Sequence, residues 1–417
     1  MIRAIYSMLA VAAQPLVRRK LVRRGRAEPG YLEHVEERFG HYTEPADPGA
    51  LWIHAVSLGE TRAAGIVMEQ VRRLAPQTRF LLTHGTATGR AEGLRWLRPG
   101  DRQAWLPWDA PKAVSRFFNH FRPAAGVLME TEVWPNLLAA AHDAHVPVAL
   151  ANARLSDKSL RGALRLPALS RPAYAALAAA WAQTDADARR LAQAGATVKG
   201  VFGNVKFDAA PDESLLERGR EWRRASPRPV VMFASSREGE EAEFVRVLET
   251  LGAAAHAVQW LVVPRHPQRF DEVAQLFRGN GIDVSRRSAW SRAPVPAPVW
   301  IGDSLGEMAF YYGMADCALL GGSFEKLGGQ NLIEAAACGC PVVMGPHTFN
   351  FAEAAGKAQA AGAALRVASL EEGMHRALAL VRDDEARRLA VQAARDFTSA
   401  NRGAALKTAE AVVALAR

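Results

Sequence analysis

Short apolar runs alternate with amphipathic helical patterns along most of this chain, and this alternation limits the possible folds more than any other feature. Examples are residues 51–56 and 79–83 in the first half, and residues 230–234 and 260–263 in the second. A strand–helix–strand repeat builds a parallel sheet with helices on both faces, so the sequence predicts a doubly wound α/β architecture. A polar, proline-rich interval at 208–229 interrupts the alternation, which indicates two such domains.

Length and composition agree with two globular domains. The chain has 417 residues, more than one hydrophobic core usually serves, with 49% hydrophobic and 23% charged residues. We predict an N-terminal segment at 1–30, Rossmann-like domains at 31–207 and 230–395 joined by a linker at 208–229, and a final helix at 396–417 that crosses back to the first domain.

The first residues form an apolar segment followed by a basic cluster. Residues 2–17 are mostly apolar but include Arg3 and Pro15, and the segment is short for a membrane-spanning helix. Six basic residues follow between 18 and 26. This order favours an interfacial helix that binds anionic lipid at the cytoplasmic face of a membrane. The alternative is an amphipathic helix docked on its own domain, with its arginines in solvent.

A glycine-rich loop after the apolar run 317–320 predicts a ligand site. Glycines at 321, 322, 328 and 329 allow positive φ angles and a close approach of the backbone to a ligand. Gln330 and Asn331 precede a helix whose first N–H groups suit a phosphate or carboxylate, and Glu334 could bind ribose hydroxyls. A tight strand-to-helix turn is the simpler alternative. Together these features favour a nucleotide-sugar site.

Glu60 is the candidate general base. It follows a strand end and a turn, Ser57-Leu-Gly59, so it would lie at the start of a helix at a strand's carboxyl end. That position favours the ionised carboxylate, which could take a proton from a hydroxyl. The alternative is that Ser57 caps the helix and Glu60 is an ordinary first-turn acid.

Other strand-end loops carry polar side chains at the same predicted edge of each sheet. In the first half, residues 83–89 suit either a phosphorylated acceptor or helix capping, and the acids at 130 and 132 favour a polar ligand. In the second half, residues 234–240 form the loop at the end of one strand. Arg265, at the end of the next strand, could pair with a phosphate. The loop around Gly306 offers backbone N–H groups.

Neither the cysteines nor the acidic pairs indicate a metal site. The three cysteines fall in or beside apolar runs and lack zinc-ligand spacing. Asp185 and Asp187 match a metal-binding D-x-D pattern, but Thr184 and Asp187 fit a helix capping box better. We therefore predict no metal and no cofactor.

Six motifs, taken in order, resemble the 3-deoxy-D-manno-oct-2-ulosonic acid (Kdo) transferases. The resemblance implies a GT-B fold, transfer of Kdo from CMP-Kdo to a lipid A precursor in lipopolysaccharide synthesis, and a place at the cytoplasmic side of the inner membrane of a Gram-negative bacterium. The motifs lie at residues 54–60, 130–136, 152–156, 203–207, 264–267 and 321–334.

The resemblance also implies roles for individual residues. Glu60 would be the general base of an inverting, metal-independent displacement, and we predict Glu132 as a second catalytic carboxylate. Donor contacts are predicted at Pro264, Arg265, His266, Gly306, Glu307, Ser323, Phe324, Gly328, Gly329, Gln330, Asn331 and Glu334. Acceptor contacts are predicted at Ser57, Gly59, His84, Thr86, Thr88, Glu130, Asn152, Arg154 and Lys206.

Two alternatives stay open. One is another GT-B enzyme, such as a lipid-linked sugar transferase with a UDP donor or a sugar epimerase. The other is a non-catalytic membrane-binding or nucleic-acid-binding protein that relies on its net charge of +9. Acids and glycines at strand ends, rather than interleaved basic and aromatic residues, disfavour the second, and we expect no nucleic-acid partner.

Overall fold

Each half of the chain forms its own seven-stranded parallel sheet in the computed structural model, which describes all 417 residues. The first unit comprises Met1–Asp208 and Arg402–Arg417. Its strands are β1 (Leu51–Ala55), β2 (Phe80–His84), β3 (Arg102–Trp105), β4 (Ala125–Met129), β5 (Val148–Ala153), β6 (Ala179–Ala182) and β7 (Val198–Val201), in the order β3-β2-β1-β4-β5-β6-β7. Its helices up to residue 208 are α1 (Ile2–Ala12), α2 (Gln14–Gly25), α3 (Leu58–Leu74), α4 (Ala87–Gly93), α5 (Pro111–Phe121), α6 (Pro135–Asp143), α7 (Asp157–Arg165), α8 (Pro167–Ala175) and α9 (Asp185–Ala194).

The second unit comprises Ala209–Asn401. Its strands are β8 (Val230–Ser236), β9 (Gln259–Pro264), β10 (Val284–Arg286), β11 (Val299–Ile301), β12 (Cys317–Leu320), β13 (Val342–Met344) and β14 (Ala364–Arg366), in the order β10-β11-β9-β8-β12-β13-β14. Its helices are α10 (Glu213–Ala225), α11 (Glu240–Leu251), α12 (Phe270–Gly279), α13 (Met308–Met314), α14 (Leu332–Ala337), α15 (Ala352–Ala360), α16 (Leu370–Arg382) and α17 (Asp384–Ala400).

The two sheets confirm the doubly wound architecture predicted from the alternation. Every strand pair is parallel, and the chain reverses its direction of travel across each sheet once, between β1 and β4 in the first and between β8 and β12 in the second. In sheets of this kind a crevice opens beyond the carboxyl ends of the strands where the order reverses, because the flanking loops leave in opposite directions. Each unit therefore has one such reversal point, where a binding site is expected.

Side chains from alternate strand positions form cores on both faces of each sheet. Trp52 on β1 packs edge-on against Phe117 and Phe118 of α5, whereas the next residue, Ile53, belongs to the core on the opposite face with Val67. Burial on both faces explains why the strands read as continuous apolar runs rather than as alternating patterns. In the second unit Phe233, Phe244 and Phe277 anchor the equivalent core.

The interval 208–229 is more ordered than a linker. It contains α10, which is capped by Asp212 and packs against α13 inside the second unit. The two helices approach so closely that a Cβ on Gly219 would lie 3.0 Å from the Cα of Gly313. The prolines that suggested a linker stand at the ends of the interval, whereas its interior carries a helical pattern with Leu216 and Gly219 buried.

The C-terminal helix belongs to the first unit. Helix α18 (Ala404–Leu415) packs on α3, and its N-terminus is fixed by Asp208, which accepts the N–H groups of Gly403 and Ala405 at 2.6 and 2.8 Å. The predicted return of the chain to the first domain is thus present, with the boundary after Asn401.

The N-terminal segment forms two helices rather than one. Helix α1 is fixed to the first unit by hydrogen bonds from Tyr6 to Asp109 and from Ser7 to Asn136, and by the Trp108 indole, which donates to the carbonyl of Ala10. None of the helices has both the length and the apolar content that a membrane span requires.

Candidate active site

Glu60 lies at the carboxyl edge of the first sheet, beside the reversal point between β1 and β4. Ser57 caps α3 by accepting the N–H of Glu60 at 3.4 Å, and its hydroxyl donates to Glu60 Oε1 at 3.0 Å. The N–H of Val56 donates to Glu60 Oε2 at 2.9 Å. Two short-range bonds therefore hold this carboxylate at the first turn of the helix, and the cap by Ser57 fixes the Glu60 backbone.

The surroundings of Glu60 suit a group that accepts a proton at neutral pH. Burial is the main cause that raises its pKa to about 7, the carboxylates of Glu130 and Glu132 add to it, and the bonds from Val56 and Ser57 oppose it. A general base is most effective when its pKa lies near the working pH. The capping interpretation of Ser57 is correct, and the role of Glu60 as general base stays a prediction that this raised pKa supports.

Glu130 holds two cations at the same edge. Its carboxylate is buried, accepts a hydrogen bond from Lys206 Nζ at 2.9 Å and forms an ion pair with Arg154 Nε at 3.0 Å. The backbone at Glu130 has φ of +60°, and Asn152 at the end of the neighbouring strand has φ of +50°. Such angles cost a non-glycine residue about 1–3 kcal/mol and are concentrated at functional sites. The pairing makes Glu130 an organiser of cations rather than a proton acceptor.

The carboxylate of Glu132 has fewer polar partners than that of Glu130. Its hydrogen-bond partner is the Trp134 indole N–H, which donates to Oε2 at 2.7 Å. Burial raises the pKa of Glu132 above its usual range, and the bond from Trp134 opposes this shift. Glu132 therefore differs from Glu130 in having no cation against it, which suits the second catalytic carboxylate predicted from the sequence.

Two predicted acceptor contacts lie inside the first unit instead of at its edge. The His84 ring is fully buried, approaches Thr61 at 3.3 Å and Gln103 at 2.9 Å, and has a pKa lowered to about 3, mainly by burial. The Asn152 side chain accepts the N–H of Val205 at 3.1 Å. We correct His84 from acceptor contact to internal support, because packing accounts for its ring. Asn152 keeps a buried Nδ2 without a hydrogen-bond partner, so its acceptor contact stays a prediction.

The loop after β2 combines capping with exposure. Thr86 caps α4 by accepting the N–H of Gly89 at 3.1 Å, and its hydroxyl donates to the carbonyl of Val56 at 2.8 Å. Thr88 is exposed two residues further on, and a Cβ on Gly59 would meet nothing within 4 Å. The capping alternative is therefore correct for Thr86, and this loop joins Gly59 and Glu60 at the same edge of the sheet.

The glycine-rich loop of the second unit is built around a buried carboxylate, that of Glu240. Glu240 accepts backbone N–H groups from Gly322 at 2.8 Å, Phe324 at 3.2 Å and Glu325 at 3.5 Å, and from Arg237 at 2.9 Å. Burial raises the pKa of Glu240 to about 7, and the four hydrogen bonds oppose this shift. Sequence reasoning missed this residue, although its acidic strand-end run at 234–240 was a signal.

Glycine is required at several points of this loop. A Cβ on Gly321 would lie 2.2 Å from the carbonyl oxygen of Ser235, and Gly322, Gly328 and Gly329 have φ of +68°, +91° and +76°. These residues therefore serve the turn itself, as the simpler alternative proposed. The N–H groups of residues 322, 324 and 325 point inward to Glu240, so they are not available to bind a phosphate.

Two predicted donor contacts have partners that fix the loop. Ser323 is fully buried, donates its hydroxyl to the carbonyl of Leu320 and accepts the N–H of Gly345 at 2.8 Å. Phe324 packs edge-on against Phe233, with ring centroids 6.1 Å apart. We correct Ser323 from donor contact to internal support, because its hydroxyl is used within the unit.

Glu307 is bound by two arginines. Arg218 and Arg287 each donate to Oε1 at 2.8 Å, and Ser304 donates to Oε2 at 2.5 Å. Burial would raise the pKa of Glu307, but the bonds from Ser304 and Arg287 and the two positive charges hold it below its usual range. The carboxylate of Glu307, predicted to contact the donor, is therefore bound by two arginines and a serine, and this cluster fixes the loop before α13.

The remaining predicted donor contacts lie at the carboxyl edge of the second sheet. Arg265 is exposed at the end of β9, and burial is the main cause that lowers the pKa of the neighbouring His266. Gly306 has φ of +80° and open space around a Cβ. Asn331 caps α14 by accepting the N–H of Ile333 at 3.2 Å. Also at this edge are Pro264, Gln330 and Glu334.

The D-x-D pattern is part of a helix cap. Thr184 accepts the N–H of Asp187 at 3.0 Å and donates to its carboxylate at 2.6 Å. Asp187 also accepts the N–H of Leu155 at 2.9 Å. No group of three or more His, Cys, Asp or Glu side chains in the structure is placed to hold a metal ion.

Comparison with known proteins identifies relatives along the whole chain. The model of a family described as 3-deoxy-D-manno-octulosonic-acid transferase (kdotransferase) matches residues 33–209. A 3-deoxy-D-manno-octulosonic acid transferase of Bordetella pertussis is 47% identical over 98% of both chains. One of Haemophilus influenzae is 31% identical over 96% of both chains.

Solved structures agree on the fold. A glycosyltransferase from Rickettsia africae superposes with a TM-score of 0.58 at 12% identity, over 88% of this chain and 98% of the other. At this identity the likeness concerns the fold alone, and it supports the predicted GT-B architecture.

Proposed function

Since the chain belongs to the 3-deoxy-D-manno-octulosonic acid transferase family and is a Kdo transferase, we propose that it moves Kdo from CMP-Kdo to a sugar hydroxyl of a lipid A precursor. The observation that carries this proposal is the held carboxylate of Glu60, with a pKa raised to about 7 at the reversal point of the first sheet. The product would be an inner-core intermediate of lipopolysaccharide.

The proposed reaction is a single displacement with inversion. Glu60 takes the proton of the acceptor hydroxyl while the oxygen of that hydroxyl attacks the anomeric carbon of Kdo. The bond from that carbon to the phosphate oxygen breaks at the same time, and CMP leaves with the electron pair. Glu132 is proposed as the second carboxylate, and its negative charge helps to keep the pKa of Glu60 near neutrality.

The cations of the first unit suit an acidic acceptor. Glu130 holds Lys206 and Arg154 at the sheet edge, where one carboxylate faces two positive charges. The excess positive charge attracts phosphate groups, such as those of a lipid A precursor. Ser57, Gly59, Thr86 and Thr88 border the same edge and are proposed to contact the acceptor sugar.

The second unit is proposed to bind the CMP part of the donor. Arg265 at the end of β9 suits the single phosphate, because a guanidinium matches phosphate oxygens with paired hydrogen bonds. Gly306, Gln330 and Asn331 offer backbone and amide groups nearby, and Glu334 suits the ribose hydroxyls. One bridging phosphate carries little charge, so we propose transfer without metal or cofactor.

We further propose that α1 lies flat on the cytoplasmic face of the inner membrane. The face of α1 away from its anchoring bonds exposes Met8 at 64% and Leu9 at 65%, together with Ile5 and Val11. The basic residues of α2 follow at once and would bind anionic headgroups.

Vesicle sedimentation tests the membrane proposal. We expect binding to vesicles with anionic lipid and weaker binding to neutral ones. The double substitution Met8→Glu and Leu9→Glu should abolish it, whereas Leu389→Glu, at an apolar residue of α17 that is 56% exposed, should not. Equal sedimentation of the two variants would contradict the proposal.

Product analysis tests the proposed reaction. The purified protein is incubated with CMP-Kdo and a tetraacylated lipid A precursor, and the lipid is analysed by mass spectrometry. We expect a mass increase of one or more Kdo units that survives addition of a chelator. Calorimetric titration with CMP and UDP is the companion measurement, and preferential binding of UDP would favour the alternative of a UDP-dependent GT-B enzyme.

A further inference from the structure

A single buried carboxylate links the two central strands of the second sheet to the glycine-rich loop. Glu240 follows β8, and the N–H groups that it accepts at residues 322, 324 and 325 follow β12, the strand that pairs with β8. Its side chain is 0% exposed. The loop closes on itself as well, because the N–H of Gly329 donates to the carbonyl of Gly322 at 2.7 Å.

A carboxylate is the only side chain that satisfies this arrangement. Four N–H donors converge on Glu240, and an ionised carboxylate offers about four acceptor positions and no donor. A glutamine would turn its NH2 group toward at least one of these N–H groups, which leaves buried donors unpaired. Charge-assisted bonds of this kind are also stronger than neutral ones.

The surrounding charges keep Glu240 separate from other ion pairs. Arg237 pairs with Glu238 through its side chain, and the neighbouring Glu241 is bound by Arg269 at 2.9 Å and by Ser236. The hydrogen-bond donors to the Glu240 carboxylate are therefore backbone N–H groups rather than cationic side chains.

We propose that Glu240 is a positioning residue of the donor site: it fixes residues 322–325, the first part of the glycine-rich loop, and through them the positions of Gln330 and Asn331, without contacting the donor itself. This inference rests on the proposed function of the loop as the nucleotide site. It also means that the N–H groups of residues 322, 324 and 325 donate to Glu240 and are not available to the donor. The donor phosphate is then held by side chains and by the rest of the loop.

Glu240→Gln is the direct test, with Glu243→Gln on the same helix as the matched control. We expect the KM for CMP-Kdo and the Kd for CMP to rise at least about 10-fold, because buried N–H groups lose their acceptor. The KM for the lipid acceptor and kcat at saturating donor should stay within about twofold, as expected when only ground-state donor binding is lost. Glu243→Gln should match the wild type in all four constants.

A second variant and a melting curve separate positioning from folding. Glu240→Asp keeps the charge but withdraws it by one methylene, so its CMP affinity should fall between those of the wild type and Glu240→Gln. Unchanged CMP affinity in both folded variants would overturn the inference, as would an equal loss of kcat and of both KM values. If Glu240→Gln does not fold, Glu240→Asp decides by the same criteria. Failure of the wild type to bind CMP would instead refute the proposed function of the loop.

Discussion

Glu60 combines a structural and a chemical property in one side chain. Its carboxylate completes the cap of α3 through Ser57 and Val56, and burial raises its pKa to about 7. The cap fixes the direction of the oxygens, and the burial keeps the group basic enough to take a proton. A catalytic base therefore does not have to be free of local hydrogen bonds, provided that they leave its pKa near the working pH.

The pH dependence of the rate follows from this pKa. Only the ionised form of Glu60 accepts a proton, and the pKa is raised to about 7, so kcat/KM for the acceptor should fall as pH decreases through 7. Below that region the rate should fall about tenfold per pH unit. A pH–rate profile of Kdo transfer measures this, and a rate that stays constant from pH 8 to pH 5 would refute the assignment.

The same pKa predicts a stability change. The folded state holds the Glu60 proton more tightly than the unfolded state, whose pKa is close to 4.5, so stability is lost as pH rises from about 4.5 to about 7. Glu60→Gln removes this penalty and should stabilise the protein at pH 8 by about 1–3 kcal/mol. Chemical denaturation at pH 8 and at pH 4.5 measures the effect. An equal gain at both pH values would contradict it.

Individual residues show what sequence could and could not predict. Glu60 was predictable because its cap, its turn and its strand lie within seven residues. Glu240 was not, because three of its four partner N–H groups lie more than 80 residues away in sequence. His84 and Ser323 were misassigned because a position at a strand end does not tell whether the side chain points inward.

At the scale of elements, α1 is both fixed to the first unit and exposed. Asp109 accepts the Tyr6 hydroxyl at 2.8 Å and the N–H groups of Asn136 and Leu137 at 3.1 and 2.7 Å, so it joins α1 to the N-terminus of α6. The two sequence alternatives, a docked helix and a membrane helix, are compatible because they use opposite faces. The bonds across 103 residues were not visible in the sequence.

Substitutions at Asp109 and Tyr6 should reduce the free energy of unfolding by different amounts. Asp109→Ala removes three hydrogen bonds and leaves buried N–H groups, so it should reduce the free energy of unfolding by about 2–4 kcal/mol. Tyr6→Phe removes only the bond to α1 and should cost about 1 kcal/mol. Denaturant unfolding of both variants measures this order. Equal effects would mean that Asp109 serves α1 alone and does not cap α6.

At the scale of the whole molecule, the two units repeat one arrangement. Each places a glutamate in the first turn of the helix after its central strand, Glu60 after β1 and Glu240 after β8, and burial raises the pKa of each to about 7. In the first unit the carboxylate lies at the sheet edge, whereas in the second it is covered by the glycine-rich loop. The alternation of strands and helices predicted both sheets, but not this difference.

The C-terminal helix should be essential to the first unit. Ala405, Ala409 and Val412 of α18 are buried against α3. Deletion of residues 402–417 should therefore destabilise that unit by at least about 3 kcal/mol, since it exposes apolar surface on both helices. Scanning calorimetry should show one transition at a lower temperature, and deletion of 416–417 alone should have no effect. An unchanged profile after the longer deletion would contradict the assignment of α18 to this core.

The central claim is that Glu60 performs the proton transfer while the second unit binds the nucleotide. The most direct measurement compares Glu60→Gln with the wild type in two assays, Kdo transfer to the lipid A precursor and calorimetric binding of CMP. We predict a loss of about 10²–10⁴-fold in kcat, the usual contribution of a general base, with an unchanged Kd for CMP. Turnover within about threefold of the wild type would contradict the claim, because a general base cannot be replaced by an amide at so small a cost.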